Sequence, residues 1–110
     1  MDINIFLKDA YKRIKNLYND HLVKIILYGS YARGDYKEDS DIDIMILVRC
    51  DEKEIKKRRD DIISIKSELG MEYNLYVSAI VQSVDYFNDH INVLPIFKNI
   101  SKEGVEINAG

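Results

Sequence analysis

A chain of 110 residues, 46% apolar and 32% charged with one proline and no low-complexity stretch, suits one domain with an adequate core and argues against disorder outside the last few residues. Its net charge of −3 argues against a protein that coats nucleic acid through a broad basic face. The lone Cys50 leaves no internal disulfide and no cysteine metal cluster; it reads as a small half-buried hydrophobe at a strand end and suits a reducing cytoplasm.

The N-terminus carries an early acid and no long apolar segment, so no signal peptide is expected, and no stretch approaches the length of a membrane span. Ile3, Phe6, Ala10, Ile14 and Leu17 recur at spacings of three and four, which predicts an amphipathic helix over residues 3–18 with Asp2 as its N-cap. Val23 to Tyr28 is a β-branched run closed by Gly29, the first strand. Ser30 to Gly34 follows as a short helical turn and Asp35 to Ser40 as a polar loop. Ile42 to Val48 is a second, nearly continuous apolar strand of the kind buried on both faces.

Asp51 and Glu54 form a capping-box pattern that opens a long helix striped by Ile55, Ile62, Ile65 and Leu69, with Gly70 as its left-handed terminator. Tyr73 to Val81 is expected as the third strand, with Glu72, Asn74, Tyr76 and Ser78 on one face. Val84 to Asp89 is a short helix, and Asn92 caps a last helix striped by Val93, Phe97 and Ile100 and ended by Gly104. The order α-β-α-β-α-β-α predicts an α/β fold, a small mixed sheet flanked by helices in a single domain over residues 1–110, without repeat or linker.

The chemistry concentrates between Tyr28 and Leu47. Gly29 lacks a Cβ, so an anion can approach its backbone closely; Ser30 adds a hydroxyl, and the amides opening the helical turn point outward. Arg33, one turn further on, can reach phosphate oxygens. Asp41 and Asp43 stand two apart at the mouth of the second strand, so their carboxylates share a face. Two such acids are costly there unless a cation sits between them. Magnesium, which takes oxygen ligands and shares substrate phosphates, is the natural candidate. The plainer alternative is an exposed loop end, with Ser40 and Asp41 as turn residues.

Gly-Ser, a ten-residue gap and Asp-x-Asp together resemble the signature of the DNA polymerase beta-type nucleotidyltransferases. The fuller string, Gly-Ser-Tyr-Ala-Arg-Gly and then Ser-Asp-Ile-Asp, is similar to that of the minimal nucleotidyltransferases, many of them antitoxins encoded beside HEPN-type toxins. The resemblance implies the polymerase beta palm-like fold and a nucleotide site made by Gly29, Ser30, Arg33 and Ser40. It also implies that Asp41 and Asp43 bind two magnesium ions and that AMP passes from ATP to a tyrosine hydroxyl of the partner toxin.

The family's third carboxylate comes from a later strand, and the matching position here is Asn74, an amide that coordinates weakly and cannot act as a base. Glu72, two residues earlier and about 7 Å away along a strand, is the candidate substitute. Asn74 therefore favours nucleotide binding over fast transfer. The rival is a non-catalytic antitoxin that neutralises its partner by contact. Transfer to an antibiotic hydroxyl is the weaker enzymatic alternative, since the chain has no acceptor lobe. The expected assembly is a cytoplasmic hetero-oligomer with the toxin, with no membrane and no direct nucleic-acid contact.

Other signals carry less. Gly29 to Gly34 has a P-loop's glycine spacing, but Asp35 and Tyr36 stand where Lys and Ser/Thr are required. Lys56-Lys57-Arg58-Arg59 is flanked by Glu52, Glu54, Asp60 and Asp61 and reads as a solvated, salt-bridged face. His21 and His90 lack partners at zinc-ligand spacing. Tyr31 and Tyr36 sit in the site loop, placed to stack on a nucleobase or to face a protein acceptor.

Overall fold

The computed structural model describes residues 2–108. In chain order it runs α1 (Ile3–Tyr18), a 3-10 turn (Asn19–His21), β1 (Leu22–Tyr28), α2 (Ser30–Arg33), β2 (Ile42–Val48), α3 (Glu52–Lys57), α4 (Arg59–Tyr73), β3 (Val77–Ser83), α5 (Val84–His90), α6 (Pro95–Glu103) and β4 (Val105–Ile107). The four strands form one mixed sheet in the order β3-β2-β1-β4. β1 is antiparallel to both β2 and β4, while β2 and β3 are parallel. This is the α/β sheet with flanking helices that the sequence predicts.

Strand alternation divides the core in two. Ile42, Ile44, Ile46 and Val48 point to one face, where Phe6, Ala10, Ile14 and Tyr18 of α1 and Ile62 and Leu69 of α4 cover them. Met45 and Leu47 point to the other, against Phe87 of α5 and Phe97 and Ile100 of α6. β2 is thus buried on both sides, which is why its sequence is apolar almost throughout. Truncating a fully buried residue such as Ile46 to Ala would cost about 2–5 kcal/mol. Among the described residues no helix is long and apolar enough to cross a membrane.

Asp2 caps α1 as expected, its carboxylate accepting from the Asn4 amide at 2.9 Å. Asp51 likewise caps α3, accepting from the Glu54 amide at 2.9 Å. The long helix that follows is in fact two, broken at Arg58 (φ −100°, ψ 9°). Lys56 and Arg58 pair with Glu52 and Glu54, each at 3.9 Å, as the flanking acids lead one to expect, and the Arg58 guanidinium also reaches inward: it donates to the Leu17 carbonyl at 3.3 Å and lies 5.6 Å from the centre of the Tyr18 ring.

Gly70 does not end the helix. It lies inside α4, because the Leu75 carbonyl passes 2.8 Å from where its Cβ would stand. Asn74 is the left-handed terminator (φ 53°, ψ 51°), with the Leu75 amide donating to the Gly70 carbonyl at 2.9 Å. The third strand consequently starts at Val77 rather than Tyr73. At the last helix, Pro95 takes the first position and Leu94 the cap in place of Asn92, which leaves Val93 exposed. The short strand β4 has too few residues for a sequence period and owes its place to pairing with Ile25–Leu27 of β1.

Candidate active site

Tyr28, the last residue of β1, pairs with Asp43 of β2, and Asp43 pairs with Ser78 on the opposite side. Paired residues share a face, so these three side chains lie in a row across the sheet end. Gly29 then bends the chain back with φ 74° and ψ −155°, a backbone region essentially reserved for glycine. A Cβ on Gly29 would overlap Asp43 Oδ2. The glycine loop and the second acid of Asp41-x-Asp43 are therefore in direct apposition, as the sequence predicts.

Asp43 is half-buried and Asp41, one residue before β2, is exposed. Burial pushes the Asp43 carboxyl above its ordinary range, the Asp41 charge adds to the rise, and Arg33 opposes it. Burial and the Asp43 charge likewise raise the Tyr28 phenol. Neither Asp41 nor Asp43 has a hydrogen-bond or ion-pair partner for its side chain among the described residues. Two carboxylates without a protein partner, one exposed and one partly desolvated, are a donor set that fits magnesium, which needs only one or two acids when substrate phosphates supply other ligands. No cluster of three or more His, Cys, Asp or Glu suited to a metal occurs among the described residues.

The Gly29 carbonyl accepts from the Ala32 and Arg33 amides, both at 3.1 Å, and the Ser30 carbonyl accepts from Gly34 at 2.9 Å and Asp35 at 3.2 Å. These bonds wind α2 so that its opening amides face outward beside the half-buried Ser30. Arg33 is already engaged: Nε reaches Asp35 Oδ2 at 3.2 Å and Nη1 reaches Glu103 Oε1 on α6 at 3.1 Å. The Ser40 hydroxyl accepts from the Lys37 amide at 2.8 Å, closing the turn that delivers Asp41. The Tyr31 and Tyr36 rings stack on each other, centroids 4.2 Å apart and 6° from parallel, with Tyr36 exposed.

Asn74 is not on the sheet. As the terminator of α4 it stands before β3, and Glu72 belongs to α4, where it pairs with Arg13. The residue placed beside Asp43 is Ser78, while the Tyr76 carbonyl accepts from the Ile42 amide at 2.9 Å. β3 reads Val-Ser-Ala-Ile-Val-Gln-Ser and brings no carboxylate to the site. The alternation of Asn74, Tyr76 and Ser78 continues the strand period backwards into a helix end, so periodicity alone misplaced the strand start.

Concavity would also have misled. A groove of about 840 Å³ lies along β3 between α3–α4 and α5, and Asp41 and Asp43 are not part of its lining. The candidate site is marked instead by paired acids, a close glycine approach and a carboxyl held above its ordinary pKa range by burial.

The family model described as a nucleotidyltransferase domain matches residues 7–105. A protein of Methanocaldococcus jannaschii that carries the provisional name protein adenylyltransferase is 39% identical over 98 residues, spanning 89% of this chain and 90% of the relative. A second protein of that organism with the same provisional name is 41% identical over 81 residues, 74% of this chain and 80% of the relative. In fold, the chain is similar to a toxin–antitoxin protein crystallised with AMP-PNP, with a TM-score of 0.55 and 18% identity over 90% of this chain and 70% of that one.

Proposed function

The chain belongs to the nucleotidyltransferase domain family, and on that premise we propose that it is a cytoplasmic antitoxin of the minimal nucleotidyltransferase type that moves AMP from ATP to a tyrosine hydroxyl of a HEPN toxin. The observation that carries this reading is the apposition of Gly29 and Asp43, which sets the glycine loop directly beside two acids that have no side-chain partner among the described residues. The toxin–antitoxin character of a structural relative and the AMP-PNP in its crystal are of the same chemistry and support the choice of partner and ligand.

Asp41 and Asp43 would hold magnesium, whose charge when bound lowers the pKa of the attacking hydroxyl and neutralises the departing pyrophosphate. The backbone at Gly29, the Ser30 hydroxyl and the first amides of α2 would receive the terminal phosphates. Arg33 would exchange Asp35 and Glu103 for a phosphate oxygen. The exposed Tyr36 ring, steadied by Tyr31, offers a face to the nucleobase. In the transfer, the acceptor oxygen forms a bond to the α-phosphorus, the bond from that phosphorus to the pyrophosphate oxygen breaks, and pyrophosphate leaves. The acceptor proton passes to water, since Ser78 stands where a third carboxylate would take it.

That serine favours one second reading: an antitoxin that binds ATP and its toxin but transfers slowly or not at all. Incubating the protein with ATP, magnesium and the toxin encoded beside it, then weighing the toxin, separates the two. An AMP-sized gain in mass supports transfer. An unchanged mass with full neutralisation supports the binding antitoxin.

A further inference from the structure

The proposed transfer sets a direction across the sheet end. The acceptor oxygen must reach the α-phosphorus opposite the departing pyrophosphate, because attacking and leaving oxygens lie roughly in line. Gly29, Ser30 and the opening of α2, which would receive the terminal phosphates, follow β1. Asp41 and Asp43 stand at the mouth of β2, and β3 lies beyond them in the order β3-β2-β1-β4. With pyrophosphate on the β1 side of the two acids, the acceptor arrives from the β3 side.

Tyr76 stands on that side. β2 and β3 pair from Ile42 with Val77, and the Ile42 amide donates to the Tyr76 carbonyl at 2.9 Å. Tyr76 is therefore next to Asp41, across a strand gap of about 4.8 Å. It is 75% exposed, and Met71, in the last turn of α4, is 85% exposed; these are the most exposed large apolar side chains among the described residues. Both line one recess of about 540 Å³ with Asn74 and Val77, and Lys66 is the one charged residue described in its wall. A single exposed apolar residue is ordinary, but two neighbours beside a reactive site mark a contact.

We propose that Tyr76 and Met71 form the acceptor contact, receiving an apolar side chain that neighbours the AMP-accepting hydroxyl on a protein. This rests on the reading that AMP is transferred at Asp41 and Asp43. A nucleic-acid acceptor would call for several cations to meet its phosphates, and this wall has one. A second copy of the chain seated here would close the in-line path to the acids. Met71 is unbranched and adapts to the shape it meets, while the Tyr76 ring offers broad area at low entropic cost.

Tyr76→Ala and Met71→Ala test the contact, with the toxin encoded beside the chain as acceptor. Both side chains are exposed, so fold and ATP affinity should hold. The KM for the toxin should rise about tenfold while kcat at saturating toxin stays within about twofold, as for a contact made equally in ground and transition states. Tyr76→Phe, which keeps the ring, should label as wild type does. Wild-type KM in both alanine variants overturns the proposal. So does a wild-type dimer that either substitution dissociates, since the patch would then join two copies. If wild type labels nothing, the transfer reading fails, and toxin affinity by calorimetry decides the contact: weakened by both substitutions it stands, unchanged it falls.

Discussion

The carboxylate of Asp43 occupies the space that a side chain on Gly29 would need. Sequence separates these residues by the whole of α2 and a polar loop; the antiparallel pairing of Tyr28 with Asp43 brings them together. Gly29→Ala must therefore adopt a backbone region that L residues avoid and also displace the acid. A loss of about 1–3 kcal/mol is expected, seen as a fall in Tm of roughly 5–15 °C. Magnesium-dependent ATP binding, read by calorimetry, should fall with it. An alanine variant that keeps wild-type ATP affinity would refute the proposed phosphate approach.

Asp43→Asn should stabilise the metal-free protein at neutral pH. The folded-state pKa of Asp43 is raised, so its contribution to stability is fully present below the unfolded value of 3.8 and is lost as pH rises through the folded value. Asparagine escapes that loss. Solvent reaches Asp43, and screening keeps the gain below about 1 kcal/mol. Thermal melts in EDTA should show the variant ahead at pH 7 and level with wild type near pH 3, while adding magnesium and ATP should reverse the order at pH 7.

Ser78→Asp, not Asn74→Asp, should supply the missing acid. The register sets Ser78 beside Asp43, whereas Asn74 ends a helix before the strand begins. The Ser78 variant should bind magnesium more tightly, and label acceptor about tenfold faster as a base is restored. It should also be less stable in EDTA, where three acids repel. Asn74→Asp should change neither rate nor affinity. If the Asn74 variant alone accelerates labelling, the placement of β3 is wrong.

Glu103→Gln should free Arg33 for phosphate. The pair is exposed, so stability should move by no more than about 0.5 kcal/mol, while ATP affinity rises by roughly twofold to fivefold. Arg33→Ala should weaken ATP by about tenfold, the loss of one charge-assisted contact. Equal ATP affinity in wild type and Arg33→Ala would remove this residue from the site.

The sheet and the first half of the site were legible because their signals are local. Ile42–Val48 is apolar at nearly every position, as a strand buried on both faces must be, and Asp41 and Asp43 share a face through simple alternation. The helix ends were less legible. Gly70 looks like a terminator, yet it serves a close passage of the Leu75 carbonyl, and asparagine takes the left-handed position that glycine was expected to fill. The basic run was legible in part: Lys56 and Arg58 pair with Glu52 and Glu54 as local spacing suggests, while the reach of Arg58 to the Tyr18 ring and the Leu17 carbonyl depends on packing between distant segments.

From its order of residues alone the chain determined a glycine turn, a serine and two same-side acids at neighbouring strand ends, since each depends on contacts within a few residues. Tertiary structure decided where β3 starts, that Ser78 rather than Asn74 stands beside Asp43, and that Glu103 holds Arg33. Each of those facts joins segments far apart in the chain. Register and packing between such segments are set by the collective fit of the two cores, which no local period encodes.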